Sequence, residues 1–233
     1  TSAPRACKER QRRMAKPLAG IRVLDATVWF QGPVCAQYLA DMGAEVIHVE
    51  RPVTGDQARG VRSIKALPVG DWNQYFLVIN RNKKSMAVDL KSDAGRQVMY
   101  DLVEKSDVFL TNLSAGALAK WGVTYDELSR VNPRLVYARL TGYGQHGAYA
   151  SMAGHDINYV AMSGVLHLLG RENDKPEPPI NLLGDFAGGG MLCAMGVVLA
   201  LLERERSGQG QVIDSAMVDG AASLASFIFG FQA

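Results

Sequence analysis

Short β-branched apolar runs alternate with stretches of helical spacing along most of the 233 residues. "IRVLD" (21–25) and "EVIHVE" (45–50) read as strands, and "GPVCAQYLADMGA" between them repeats apolar residues at helical spacing until Gly43 stops it. Strand, helix and strand in about thirty residues make a βαβ unit. The alternation continues with a helix over 93–105, a strand "DVFLT" at 107–111, two short helices to Val131 and a strand "LVYARLT" at 135–141. This predicts an α/β fold, an open and mostly parallel Rossmann-like sheet with flanking helices. A loop-rich stretch is expected over 51–84, and helices over 155–169 and 186–205. The longest apolar run, 191–202, has twelve residues, below the roughly 20 of a membrane span, and predicts a buried helix.

Composition adds scale. At 48% hydrophobic and 21% charged, the chain can bury a core of ordinary globular size in one large domain. The net charge of +2 is uneven, because residues 1–16 hold six basic side chains against Glu9 and leave −3 for the remainder. A mildly acidic body is no footprint for nucleic acid. The leader has the Arg-rich, acid-poor bias of an organellar transit sequence, so 1–16 is expected to lie outside the fold, disordered, and 17–233 to form the α/β domain. Cys7, Cys35 and Cys193 contain no CxxC pair, which fits a reduced compartment and neither a disulfide framework nor a metal site.

Three patterns carry candidate chemistry. "GYGQHG" (142–147) matches G-x-G-x-x-G after a strand, but "AYASMAG" is a poor helix start, so a glycine-rich turn is the better reading than a dinucleotide site. Arg51, Arg81, Lys83, Lys84 and Lys120 are candidates for phosphate contacts, against the alternative of a solvated basic surface. His155 and Asp185 are the sharper pair: a histidine and a carboxylate, each at an expected helix start, where proton transfer and oxyanion stabilisation are both served. The alternative is a capping aspartate and a hydrogen-bonded buried histidine, and Asp156 reads as an N-cap. Gly188, Gly189 and Gly190 weaken an apolar helix by about 1 kcal/mol each relative to alanine, so something must approach that backbone closely.

Together "PLAGIRVLD", "LADMGAEVIHVERP", "NRNKKSMAVDLKS", "LVYARLTGYGQ", "AGHDINY", "NLLGDFAGGG" and "GQGQVIDSAMVDG" resemble the class III coenzyme A transferase family, and within it the α-methylacyl-CoA racemase branch. The resemblance covers 17–233 and implies the large, coenzyme A-binding domain of that fold, with a smaller C-terminal domain missing. It implies that His155 and Asp185 flank the α-carbon of a 2-methylacyl-CoA, removing a proton from one face and returning it on the other. Asn181 and Tyr159 match positions lining that site, and the Asp156 N–H matches the donor to the enolate oxygen. Arg51 and Lys120 match coenzyme A phosphate contacts, and the stretch 81–84, with Arg81, Lys83 and Lys84, matches the segment beside the nucleotide.

The first half leans the other way. "DWNQYFLVINRNKKS" and Asn112, a further coenzyme A-binding candidate, look like the transferase branch, in which the aspartate standing here as Asp185 forms an aspartyl-CoA thioester. The alternatives are therefore coenzyme A transfer between carboxylic acids, or a truncated fragment that binds coenzyme A without turnover. The missing domain supplies racemases with a glutamate that partners the catalytic histidine, and the resemblance implies an interlocked homodimer. It further implies an acyl-CoA substrate and no cofactor beyond its coenzyme A. Location is expected to be intracellular, mitochondrial or peroxisomal in a eukaryote and cytoplasmic in a bacterium.

Overall fold

The computed structural model describes residues 16–60 and 73–231. The leader 1–15 and part of the expected loop, 61–72, lie outside the described residues.

The four expected strands form: β1 (Arg22–Ala26), β2 (Glu45–Glu50), β4 (Val108–Thr111) and β5 (Val136–Thr141). Two more appear at the sheet edges, β3 (Lys83–Ala87) inside the expected loop and β6 (Val212–Ala216). All pairings are parallel, in the order β3-β2-β1-β4-β5-β6. This is the doubly wound order, whose direction reverses between β1 and β4 and opens a crevice at the carboxyl ends of those strands. The sequence "KKSMA" of β3 escapes periodicity because an edge strand needs no continuous apolar face.

Helices cover both faces. Neighbouring residues of one strand fall into different cores: Val23, Val108 and Leu110 pack with Cys35 and Leu39, whereas Leu24 and Phe109 pack with Met99, Val103, Leu118 and Leu128. A strand buried on both sides reads as an unbroken apolar run, as "DVFLT" does. The first face is covered by α1 (Gln31–Asp41) and α7 (Leu192–Ser207), the second by α3 (Asp93–Glu104), α4 (Ala115–Trp121) and α5 (Tyr125–Val131). Ser92 and Ser114 cap α3 and α4 by accepting from Gly95 N–H and Ala117 N–H. A short helix, α2 (Gln74–Asn80), precedes β3.

The expected helix over 155–169 is divided into α6 (Asp156–Met162) and a 3₁₀ turn, Val165–Leu168, with Gly164 at φ 81° between them. The later helix starts four residues sooner than expected, as a π-helix from Leu182 to Met191 that runs on into α7. The joined stretch Leu182–Ser207 is 26 residues, long and apolar enough by length and composition to cross a membrane, which the twelve-residue run did not disclose. Half of its most apolar window is buried inside the protein, the disposition of a core helix.

The glycines of "GDFAGGG" answer to this packing. The π-helix lies against α8 (Met217–Leu224) so closely that a Cβ on Gly220 would stand 2.0 Å from Gly188 O. A Cβ on Gly190 would meet Val34 Cγ1 of α1 at 2.9 Å. The close approach expected of that backbone is made by two helices of the chain itself.

Candidate active site

His155 and Asp185 both arrive at the carboxyl end of the sheet. "GYGQHG" follows β5 as a turn, with Gly144 and Gly147 at φ 81° and 96°, and the next helix begins only at Asp156. The nucleotide reading of that motif therefore fails for the structural reason its sequence suggested, since no helix N-terminus is present to receive a pyrophosphate. The turn is anchored by Thr141 Oγ1, which accepts from Gly144 N–H, and by Asp214 of β6, which accepts from Gln145 N–H.

Asp185 sits in the first turn of the π-helix, 7% exposed. Asn181 Nδ2 donates to its Oδ2 at 2.7 Å. Burial raises the carboxyl to about 6, aided by the neighbouring Asp156 charge and opposed by the Asn181 hydrogen bond and by His155. A carboxyl poised there can both release and accept a proton near neutral pH.

His155 is exposed, one residue before α6, and its N–H donates to Asn158 Oδ1 at 2.9 Å. Asp156 is buried, and its role differs from the N-cap expected of it. It occupies the first position of α6, and its Oδ2 accepts from the backbone N–H of Asp185 at 2.7 Å. Its side chain thus caps the neighbouring π-helix rather than its own, because the crossing of the two helix starts puts those orphan N–H groups within reach. Among the described residues, no protein group accepts from the Asp156 N–H, which leaves that donor open for a ligand oxygen. Tyr159 is buried between Gly142 and Gly154, edge-on to Tyr143, and burial with the nearby carboxylates pushes its phenol to about 12.

Sequence reasoning missed the aromatic cover over Asp185. Phe30 packs edge-on against Phe186 at 4.8 Å between ring centroids and against Tyr75 of α2 at 5.2 Å. The Asp185 charge reaches Tyr75, whose phenol burial holds above its ordinary range. The one available signal was the aromatic in "DWNQYFLVIN", far from Asp185 in the chain.

The basic candidates separate into two groups. Arg51 lines a cavity of about 510 Å³ at the carboxyl ends of β1 and β2, together with Thr27, Val28, Glu50, Gln57 and Trp121. Lys120 is exposed on α4, beside that tryptophan. Arg81, Lys83 and Lys84 instead stem from the opposite, amino end of the sheet, and of the three Lys83 reaches inward to Asp25. Arg81 pairs with Asp41 at 2.5 Å and Lys84 with Glu45 at 2.5 Å. Lys83 is 2% exposed and donates to Asp25 Oδ2, Pro33 O and Asn80 Oδ1, each at 2.8 Å. The expected phosphate contact of Lys83 is corrected: its ammonium is an internal counter-ion, and a buried carboxylate outcompetes a ligand. Asn112 is likewise engaged, its amide donating to Val28 O at 2.7 Å and accepting from Val28 N–H at 2.9 Å. It ties the ends of β1 and β4 across the switch point and holds Val28, which lines the cavity, in place.

The cavity and the carboxyl are joined by one segment. Val28 lines the cavity, and Phe30, two residues on, touches Phe186 beside Asp185.

Residues 18–232 match CoA-transferase family III. The chain is 44% identical over 215 residues to the α-methylacyl-CoA racemase of Mus musculus, covering 92% of this chain and 51% of the relative. It is 42% identical over 200 residues to the succinyl-CoA:glutarate CoA-transferase of Mus musculus, covering 85% of this chain and 45% of the relative. A crystal structure of a CAIB/BAIF family protein from Brucella suis superposes with a TM-score of 0.85 at 32% identity, over 93% of this chain and 57% of that one. The chain thus spans about half the length of the curated relatives it matches. With the doubly wound sheet and the buried Asp185 at its carboxyl end, these likenesses show that the chain belongs to CoA-transferase family III.

Proposed function

We propose that the protein is the coenzyme A-binding domain of a racemase that interconverts (R)- and (S)-2-methylacyl-CoA thioesters. The observation that carries this reading is Asp185, a buried carboxyl raised to about 6 within the electrostatic reach of His155. One of the two removes the α-proton, the electron pair moves onto the thioester oxygen, and the other delivers a proton to the opposite face. The open Asp156 N–H is suited to receive the enolate oxygen, where a fixed donor in a dry site is worth several kcal/mol (roughly 3). Arg51 and Lys120 would meet the phosphates of coenzyme A, which enters as part of the substrate, and no other cofactor is called for. The reading extends to a homodimer in a reduced intracellular compartment, in keeping with the buried free thiols Cys35 and Cys193.

The test is proton NMR of a 2-methylacyl-CoA in heavy water. Exchange at C2 collapses the methyl doublet to a singlet, and His155→Ala should stop the collapse while coenzyme A binding persists. Undiminished exchange in that variant overturns the assignment.

Likeness to the succinyl-CoA:glutarate CoA-transferase favours a second reading, transfer of coenzyme A between carboxylic acids. There the Asp185 carboxylate attacks the thioester carbonyl and expels the coenzyme A thiolate, leaving a mixed anhydride; the thiolate then attacks the aspartyl carbonyl, which forms an aspartyl-CoA thioester and releases the first acid. Hydroxylamine added during turnover with an acceptor acid would then label Asp185, and an unlabelled Asp185 excludes it.

A further inference from the structure

Four charged side chains, Asp25, His48, Asp56 and Lys83, meet at the back of the cavity, which only Asp56 of the four lines. His48 on β2 is 2% exposed, its Nδ1 is 2.9 Å from Asp25 Oδ2 and its Nε2 is 3.0 Å from Asp56 Oδ2. A neutral imidazole has one N–H and can donate to only one carboxylate, leaving a lone pair facing the other. With both ring nitrogens protonated, each carboxylate receives a hydrogen bond, and His48 and Lys83 balance Asp25 and Asp56.

The two carboxylates belong to the two lips of the cavity. Asp25 Oδ1 accepts from Thr27 N–H at 3.2 Å and from the Thr27 hydroxyl, holding the β1 lip. Asp56 lies in the loop that follows Arg51, where its Oδ1 accepts from Ala58 N–H at 2.7 Å and its own N–H donates to Glu50 Oε2 at 2.8 Å. Thr27, Arg51 and Asp56 all line the cavity. One ring therefore joins both walls.

We propose that His48 is a positioning residue for the phosphate-bearing half of the ligand: its imidazolium clamps the loop carrying Arg51 onto the end of β1, and affinity at the cavity falls when the ring loses its second proton. This rests on the coenzyme A reading above. The groups facing the ring are Asp25 from β1, Asp56 from the loop and Lys83 from β3, with the Cys35 thiol of α1 behind Asp25 and the uncharged Phe76 ring of α2 at 6.2 Å. Burial opposes the charged ring, but Asp25 and Asp56 outweigh it and raise the imidazole to about 9. A raised base stabilises the fold fully below its ordinary value of 6.5 and loses that contribution as pH climbs through about 9.

The probe is adenosine 3′,5′-bisphosphate, whose phosphates, with a second pKa of about 6, no longer titrate above pH 7. Its affinity for the chain is measured by calorimetry from pH 7 to about 10, with circular dichroism reporting the fold at each step. Wild type should hold its affinity to about pH 8 and lose about tenfold or more by pH 10. In Asp56→Asn an amide can donate to the Nε2 of a neutral ring, so its affinity should be flat across the range. His48→Gln should weaken binding at pH 7 and speed deuterium exchange of the Asp56 and Ala58 amides. Unchanged exchange in His48→Gln overturns the clamp whatever the ligand, and loosened amides with unchanged affinity overturn the positioning role. A wild type that binds no bisphosphate while its loop amides depend on His48 locates the failure in the coenzyme A reading.

Discussion

The backbone N–H of Asp185 donates to the side chain of Asp156 at 2.7 Å, a single bond that fixes the starts of two helices 29 residues apart. Through it the carboxyl of Asp185 and the open N–H of Asp156 become one rigid unit. The arrangement leaves Asp156 Oδ1 buried without a partner, and burial raises the Asp156 carboxyl above its ordinary range.

Asp156→Ala should therefore act on stability as well as turnover. It strands the Asp185 N–H in the interior, a loss of about 1–3 kcal/mol, readable as a lower urea midpoint. The α-proton exchange rate should drop with it, since Asp185 would no longer be held.

Asp185→Asn should do the opposite to stability. The rise of the carboxyl from 3.8 to about 6 means that the folded protein resists its ionisation by roughly 3 kcal/mol in order of magnitude. That favourable contribution is complete below pH 3.8 and is lost as pH rises through about 6, so wild type is at its disadvantage above pH 7. Urea titrations at pH 5 and pH 8 should show the asparagine variant gaining on wild type at the higher pH, with exchange activity abolished.

Lys83 and Arg51 should part company despite their shared charge. Lys83→Met leaves Asp25 as a buried anion short of one cation, and losing a buried partner costs about 3–5 kcal/mol. Arg51→Ala, at an exposed cavity rim, should leave the melting temperature nearly unchanged and weaken coenzyme A binding. Thermal melts and calorimetry on the same two samples decide it; equal Tm losses would contradict the separation.

Gly220→Ala should be among the most damaging small changes in the chain. Its added methyl would collide with Gly188 backbone atoms rather than with a flexible side chain, and the helices must separate. Overpacking of this kind costs about 1–3 kcal/mol or more, and the displacement would carry the π-helix and Asp185 with it, lowering both Tm and turnover.

What the sequence by itself determined is what local burial writes into it. The runs of β4 and β5 are largely apolar because both faces are covered, and the alternation with helices sets the doubly wound order within reach. The polar residues of "AGHDINY" and "NLLGDFAGGG" stand out against apolar surroundings, which made His155 and Asp185 legible as a pair. Periodicity has no means of reporting an interaction between residues 58 apart, and so the engagement of Lys83 by Asp25 was decided only by the tertiary structure. The same holds for the Asp156 cap on a foreign helix, the aromatic cover from Phe30 and Tyr75, and the joining of two lips by His48. Each depends on which groups a distant segment presents, and the free energy of a buried charge or an orphan N–H is settled by that neighbour, not by its own place in the chain.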